Sequence, residues 1–169
     1  ANTAGAVSLV GSSANARITG TLTINNGANF DINGKNLTAN TLVNNGNLQL
    51  LGSETVNITT MDTDSGTVTY DGSGATGLAA GDNYFDLTFN QSGISTLDAN
   101  LDVNGDLTIT SGTLDASGSN HNIAVGGDWT NNGSFISRSG TVTFDNNSNV
   151  FSGGTGASND FNDVVLSGS

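Results

Sequence analysis

The chain repeats itself over a long interval, and this repeat limits the possible folds more than any other feature. Residues 65–71 (SGTVTYD) return as 139–145 (SGTVTFD), and residues 20–24 (GTLTI) return as 105–109 (GDLTI). Two further pairs correspond in the same order: 42–48 with 129–135, and 84–89 with 161–166. The interval of about 75 to 85 residues is several times one supersecondary unit, so each copy is predicted to hold about four stacked units of about 20 residues.

We therefore interpret residues 1–169 as one segment with two copies of a super-repeat, at about 20–92 and 105–169. The second copy stops midway, and the N-terminal stretches resemble residues 93–105, which come after the equivalent point in the first copy. This predicts that copies join head to tail, or that the sequence belongs to a continuous array. The first residue is Ala1 rather than Met, which is typical of a mature N-terminus after signal-peptide removal, or of a part of a longer protein.

Short strands are predicted throughout the chain. Apolar residues alternate with threonine in TLTI (21–24), TVTY (67–70), LTIT (107–110) and TVTF (141–144). A period of two places alternate side chains on opposite faces of a strand. Five Asn-Gly pairs separate the strands, and both residues tolerate a positive φ at a turn. No window has the spacing of an amphipathic helix, so the protein is predicted to be all-β.

The fold class expected is a parallel β-solenoid (β-helix), with right-handed winding. The chain contains 24 Gly and no Pro, so every backbone N–H can join a ladder. Stacked Asn and Thr side chains are expected to form ladders of their own. The alternative is an antiparallel β-sandwich, because Asn-Gly between alternating strands is also the strongest short-range signal for a hairpin. The long super-repeat favours the solenoid.

Charge and composition exclude several classes of partner. The formal net charge is −12, and the only basic residues are Arg17, Lys35 and Arg138. Nucleic acid and anionic lipid surfaces are bound through Lys and Arg, so neither is an expected partner. No apolar run approaches the roughly 20 residues that span a bilayer, so membrane insertion is not expected. The absence of Cys excludes disulfides and thiolate metal sites.

Part of the sequence resembles a known type of repeat. The segments 125–135 (VGGDWTNNGSF), 139–144 (SGTVTF) and 161–164 (FNDV) are similar to repeats of large secreted bacterial surface proteins, of the filamentous-haemagglutinin-like and autotransporter-adhesin-like β-helix type. The resemblance implies an extracellular, cell-surface module that is elongated, adhesive or a spacer, and it brings no catalytic residues. The partners it implies are neighbouring repeats of a longer chain, glycans and a host or cell surface.

The function expected is therefore non-enzymatic: a structural or adhesive module, or a filament subunit, that stacks end to end through its terminal coils. An open terminal strand presents unpaired N–H and C=O groups, which pair readily with another strand. The candidate residues for this end-to-end contact are Val7 and Leu9 at the head, with Val164 and Leu166 at the tail. The expected partner is a second copy, joined head to tail.

Catalytic and metal chemistry have few candidates in the sequence. His121 is the only histidine, it stands in a polar turn, and nothing in the sequence supplies a convincing Ser-His-acid set. Asp62 and Asp64 share a face if extended, and they are the candidates both for a calcium ion and for an acid–base pair. No other cofactor is expected. The alternatives to a structural module are a glycan-active β-helix enzyme, which would use these two carboxylates, and an ice-binding β-solenoid, which would use the Thr-x-Thr pairs.

Overall fold

The computed structural model describes residues 5–8, 15–146, 149–153 and 160–168. Within these ranges the chain forms strands joined by turns and no helix. The described residues therefore contain no helix that could span a membrane. The strands are β1 (Ala6–Ser8), β2 (Ala16–Ile24), β3 (Asn29–Asp31), β4 (Leu37–Asn44), β5 (Asn47–Leu50), β6 (Val56–Thr60), β7 (Thr67–Tyr70), β8 (Asn83–Tyr84), β9 (Asp86–Thr96), β10 (Leu101–Val103), β11 (Leu107–Asp115), β12 (Ile123–Val125), β13 (Trp129–Asn131), β14 (Ser134–Ile136), β15 (Thr141–Phe144), β16 (Phe151–Gly153) and β17 (Asp163–Leu166).

The strands form three parallel sheets. A nine-stranded sheet has the order β1-β3-β5-β7-β9-β11-β13-β16, with β14 also paired to β11. A three-stranded sheet, β2-β4-β6, serves the first coils, and a five-stranded sheet, β8-β10-β12-β15-β17, serves the later ones. The chain returns to the nine-stranded sheet once in every coil. The prediction of a parallel β-solenoid is confirmed, and the antiparallel sandwich is wrong because the strands pair in parallel.

The length of one coil follows from the register of the nine-stranded sheet. Successive partners are Val7, Phe30, Leu48, Val68, Leu87, Leu107, Trp129 and Phe151. One coil therefore takes between 18 residues (Phe30 to Leu48) and 23 residues (Val7 to Phe30). These eight strands make seven steps, which at about 4.8 Å each give a stack about 34 Å long.

Columns of apolar side chains fill the interior. Leu48, Val68, Leu87 and Leu107 follow one another in register and are almost fully buried. Tyr84, Val103, Val125 and Phe144 form an equivalent column in the five-stranded sheet. Each side chain is covered by the same position of the coil above and below, so the hydrophobic burial that stabilises one coil is supplied by its neighbours.

Two buried tyrosines place their hydroxyls inside this interior without leaving them unpaired. The Tyr70 and Tyr84 hydroxyl oxygens are 2.9 Å apart. The N–H of Ala80 donates to the Tyr70 oxygen at 3.0 Å, and the Tyr84 hydroxyl donates to the carbonyl of Gly81. The Tyr70 proton is thus left to bind the Tyr84 oxygen. Burial raises the pKa of both hydroxyls above the ordinary value.

The corners of the coils are closed by short polar side chains. The Asp86 carboxylate accepts the N–H of Asp106 at 2.8 Å, and the Asp106 carboxylate accepts the N–H of Asp128 at 2.7 Å. Asn100 and Asn122 accept backbone N–H groups of the following coil in the same way. Backbone donors that leave the sheets are satisfied by these oxygens. The many Asn and Asp residues of the chain therefore have a structural use at the turns.

Segments that correspond in the sequence do not occupy corresponding places in the coil. Thr67–Tyr70 (β7) lies in the nine-stranded sheet, whereas its sequence counterpart Thr141–Phe144 (β15) lies in the five-stranded sheet. In both strands the Val and the aromatic residue are buried, and the two Thr residues are partly exposed. The super-repeat thus preserves the alternation of a strand, which suits any sheet of the solenoid, rather than a position around the axis.

Candidate functional site

The last described strand, β17, exposes apolar side chains. Val164 and Leu166 of β17 continue the interior columns of Val142 and Phe144. The two residues of the coil before are each 1% exposed, whereas Val164 is 45% exposed and Leu166 is 74% exposed. The same columns that are closed within the stack therefore end on exposed aliphatic side chains.

An aromatic cluster lies beneath this open end. Phe151 of β16 continues the column of Trp129 and is about half exposed. Its ring centroid is 4.3 Å from that of Phe144 in an edge-to-face arrangement. Trp129 also contacts Phe135 at 5.0 Å and Phe161 at 5.1 Å between centroids. Rings in mutual contact lose little freedom when a further surface covers them, so this end is preorganised for contact.

The N-terminal end presents a complementary hollow. Val7 of β1 pairs with Phe30 in the nine-stranded sheet and is more than half exposed. Beside it lies a hollow of about 280 Å³, whose apolar lining includes Val7, Leu22, Ile24, Ala28 and Phe30. An apolar cavity of about 150 Å³ is enough to hold a benzene ring. The hollow thus has room for one large side chain.

The predicted contact residues fall on these two ends. Val7, Val164 and Leu166 are exposed members of interior columns, and Leu9 lies outside the described residues. Sequence reasoning missed Phe151, which follows the stretch 145–150 (DNNSNV) where no apolar alternation marks a strand. Its place in a column is visible only from the register of β13 with β16.

The candidate carboxylates Asp62 and Asp64 are close together, and Asp62 is already used by the fold. Its Oδ2 accepts the N–H of Asn44 at 2.6 Å and the hydroxyl of Ser65 at 3.2 Å, and its Oδ1 accepts the N–H of Asp64 at 3.2 Å. Partial burial opposes ionisation of Asp62, but these hydrogen bonds lower its pKa below the ordinary value. A hydrogen bond and charge repulsion from Asp62 raise the pKa of Asp64.

The hydrogen bonds of Asp62 stabilise a turn. Carboxylates that cleave a glycosidic bond stand about 5 to 9.5 Å apart, with the sugar between them. Asp62 and Asp64 are instead two residues apart in one turn, where the N–H of Asp64 donates to the Asp62 carboxylate. A calcium ion takes six to eight oxygen ligands, and the described part of the chain contains no group of three or more acidic or histidine side chains arranged to hold a metal.

The outer face of the nine-stranded sheet carries a column of threonines. Thr69, Thr88, Thr108 and Thr130 are successive register partners, so one hydroxyl recurs on each of four coils. The sequence did not reveal this column, because only some of its members belong to Thr-x-Thr pairs. Asp86 and Asp106 lie two positions before Thr88 and Thr108, on the same face of their coils. These carboxylates make the face unlike a neutral array of hydroxyls.

An ion pair ties the later coils together. The Arg138 guanidinium donates from Nε to Oδ1 of Asp115 at 2.8 Å and from Nη2 to Oδ2 at 2.7 Å. Asp115 is buried and also accepts the N–H of Ser117. The hydrogen bonds from Arg138 hold the pKa of Asp115 below its ordinary value, although burial opposes this. Two parallel bonds fix the geometry of the contact.

The fold and its open ends define a parallel β-helix repeat protein. Family models, curated proteins and solved structures were compared with the chain, and none of them matches it.

Proposed function

We propose that this protein is a non-enzymatic structural and adhesive module of an extracellular surface protein or filament, and that it extends by stacking end to end through its terminal coils. The observation that carries the proposal is the exposure of Val7, Phe151, Val164 and Leu166 at the two ends of otherwise closed apolar columns.

Open ends of this kind are unusual for a repeat protein that works alone. Solenoids in solution need terminal repeats with a polar outer face. Here the last described coil exposes Phe151 and Leu166, and β16 and β17 each have one paired edge in the described ranges. An unpaired edge is a template for another parallel strand, and an apolar column beside it adds hydrophobic burial. The ends are therefore suited to being covered.

The sides of the solenoid support an exposed, solvated role. Ladders of Asn, Gln, Thr and Asp side chains bond to one another across the first coils, as in Asn47 Nδ2 to Asn29 Oδ1 at 2.7 Å and Thr69 Oγ1 to Asn47 Oδ1 at 2.9 Å. The net charge of −12 keeps such a surface soluble and discourages lateral association. Together with the resemblance to bacterial surface repeats, these features favour a cell-surface location and glycans or a cell surface as lateral partners.

Sedimentation velocity over a wide range of concentrations tests the proposal. We expect the sedimentation coefficient of the 169-residue chain to rise with concentration, with a frictional ratio that rises as well, because end-to-end growth makes longer rods. Compact monomers at every concentration, with constant sedimentation coefficient, would contradict end-to-end stacking. Hydrolysis of an acidic polysaccharide that is lost in Asp62→Asn or Asp64→Asn would instead establish the enzyme.

A further inference from the structure

We infer that each end binds the opposite end of a second copy of this chain in parallel register, so that β16 of one copy pairs with β1 of the next and β17 pairs with β2. The inference rests on the proposed function and adds to it the strands that meet and their register. A head-to-tail contact of this kind uses two different surfaces and does not close on itself.

The first argument is the continuity of the columns in the nine-stranded sheet. Val7 and Phe151 are the first and last members of a single register column in that sheet. Translation of a second copy by one coil beyond β16 places its Val7 over Phe151, in the relation that Phe30 and Leu48 have within the chain. Parallel pairing is preserved across the contact, as it is within the stack.

The second argument concerns the smaller sheets, which lie on the same side of the coil. Leu48 and Leu107 belong to one column of the nine-stranded sheet. Asn44 of β4 lies four residues before Leu48, and Val103 of β10 lies four residues before Leu107. Asn44 and Val103 therefore occupy equivalent positions in their coils. The Nδ2 of Asn104 also donates to the carbonyl of Thr63 at 2.8 Å, which joins the ends of the two sheets.

β17 is therefore aligned with β2 of the next copy. Ile24 is the register partner of Asn44, and Leu166 ends the column that contains Val103. With β17 stacked on β2, Leu166 lies over Ile24, and Val164 lies over Leu22. Exposed members of the tail thus meet the wall of the hollow at the head.

The third argument is the distribution of charge. Residues 1–50 contain Arg17 and Lys35 against Asp31, which gives +1, although the whole chain carries −12. Residues 121–169 contain four Asp against one Arg, which gives −3. Stacking tail on tail brings like charges together, whereas stacking tail on head brings opposite ones together. Arg17 near the head and Asp160 near the tail are both exposed.

Two end-blocked variants of the full chain test the polarity. Val7→Asp/Arg17→Asp blocks the head, and Val164→Asp/Leu166→Asp blocks the tail. All four wild-type side chains are exposed, so the variants are expected to keep the fold, which circular dichroism checks. Ile94→Asp is the matched control, because Ile94 is an exposed apolar residue on the side of the solenoid.

We expect each blocked variant alone to associate at least tenfold more weakly than the wild type, and a 1:1 mixture to form dimers and nothing larger. Ile94→Asp should assemble as the wild type does. Dimers of either blocked variant alone would overturn the inference in favour of a symmetric contact while leaving end-to-end stacking in place. A wild-type chain that stays monomeric would overturn the proposed function as well.

A charge exchange tests the attraction between head and tail separately and needs no apolar change. Arg17→Asp and Asp160→Arg are each expected to weaken wild-type association at least threefold, because each reduces the difference in charge between the two ends. The double variant Arg17→Asp/Asp160→Arg is expected to recover the wild-type affinity. Failure of the double variant to recover it would overturn the head-to-tail attraction of opposite charges.

Discussion

The last coil and the coil before it occupy the same columns and differ in what covers them. Val142 and Val164 are register partners of the same residue type, yet the first is buried and the second is nearly half exposed. Phe144 and Leu166 differ in the same way. In this solenoid a residue is a core residue because another coil covers it, and β17 carries core positions with no described coil over them.

The comparison is tested most sharply by truncating one leucine inside the stack and one leucine in the last coil. Leu107→Ala removes a fully buried side chain between Leu87 and Trp129, and it should cost about 2 to 5 kcal/mol of unfolding free energy. Leu166→Ala should change the stability of the monomer by less than about 0.5 kcal/mol, since its side chain is mostly exposed. Urea unfolding at a concentration that keeps the chain monomeric measures both. Equal losses would show that the last coil is already closed.

The tyrosine pair shows the same effect for polar groups. The hydroxyls of Tyr70 and Tyr84 are buried because coils lie above and below them. Burial raises the pKa of Tyr70 and Tyr84, so the folded state holds both protons more tightly than the unfolded chain does. This contribution to stability is fully present below pH about 10, the ordinary tyrosine value, and is lost as the pH rises above it.

We expect the urea midpoint of the wild type to fall between pH 9 and pH 11, because above pH about 10 the free energy of unfolding falls by up to about 1.4 kcal/mol per pH unit for each tyrosine. The double variant Tyr70→Phe/Tyr84→Phe should lose about 1 to 3 kcal/mol at pH 7, because the N–H of Ala80 loses its partner. Its midpoint should then change less between pH 9 and 11. A wild-type midpoint that is constant over this range would contradict the burial of the hydroxyls.

A smaller effect is expected from the ion pair between the later coils. Arg138→Met leaves the Asp115 carboxylate without its two charged donors. Because the Arg138 side chain is 45% exposed and solvent screens the pair, stability at neutral pH should fall by less than it does in the tyrosine variant. Because Arg138 depresses the pKa of Asp115, this contribution is present above pH 3.8 and is lost as the pH falls below it. The difference between wild type and variant should therefore shrink in acid. A difference that persists unchanged below pH 3 would refute the ion-pair origin.

The smallest effect is expected on the outer face. Thr108 points away from the interior, between Thr88 and Thr130 of neighbouring coils. Thr108→Val keeps the β-branched shape that suits a strand and should change the unfolding free energy by less than about 0.5 kcal/mol. Thermal hysteresis of the wild type above that of a control protein, lost in Thr108→Val, would instead support an ice-binding face.

Much of the fold follows from local features of the sequence. The alternation at Leu22 and Ile24 predicts which side chains of β2 face inward, and these two are its better buried apolar positions near the turn. The absence of Pro and the long repeat predict parallel stacking with coils of about 20 residues, close to the 18 to 23 found. These features depend on the backbone and on residue type, which the sequence states directly.

Other features depend on register and could not be predicted. The strands 67–70 and 141–144 have nearly the same sequence, but variable coil lengths carry them to different sheets. The same variation hides the threonine column and the place of Phe151. Asp62 and Asp64 were expected to share a face if extended. The structure places them in a turn outside any strand, where the Asp62 carboxylate accepts the N–H of Asn44, a coil away. The lengths of the turns determine which residues of neighbouring coils come into register.

Electron microscopy of the concentrated wild-type protein tests the open-ended core most directly. The eight stacked strands of the nine-stranded sheet, at about 4.8 Å each, predict unbranched filaments with an axial repeat of about 38 Å per copy. The tail-blocked variant Val164→Asp/Leu166→Asp, imaged at the same concentration, should show no filaments. Isolated short particles of wild type at every concentration, or filaments formed equally well by the blocked variant, would contradict a core that is completed by the next copy.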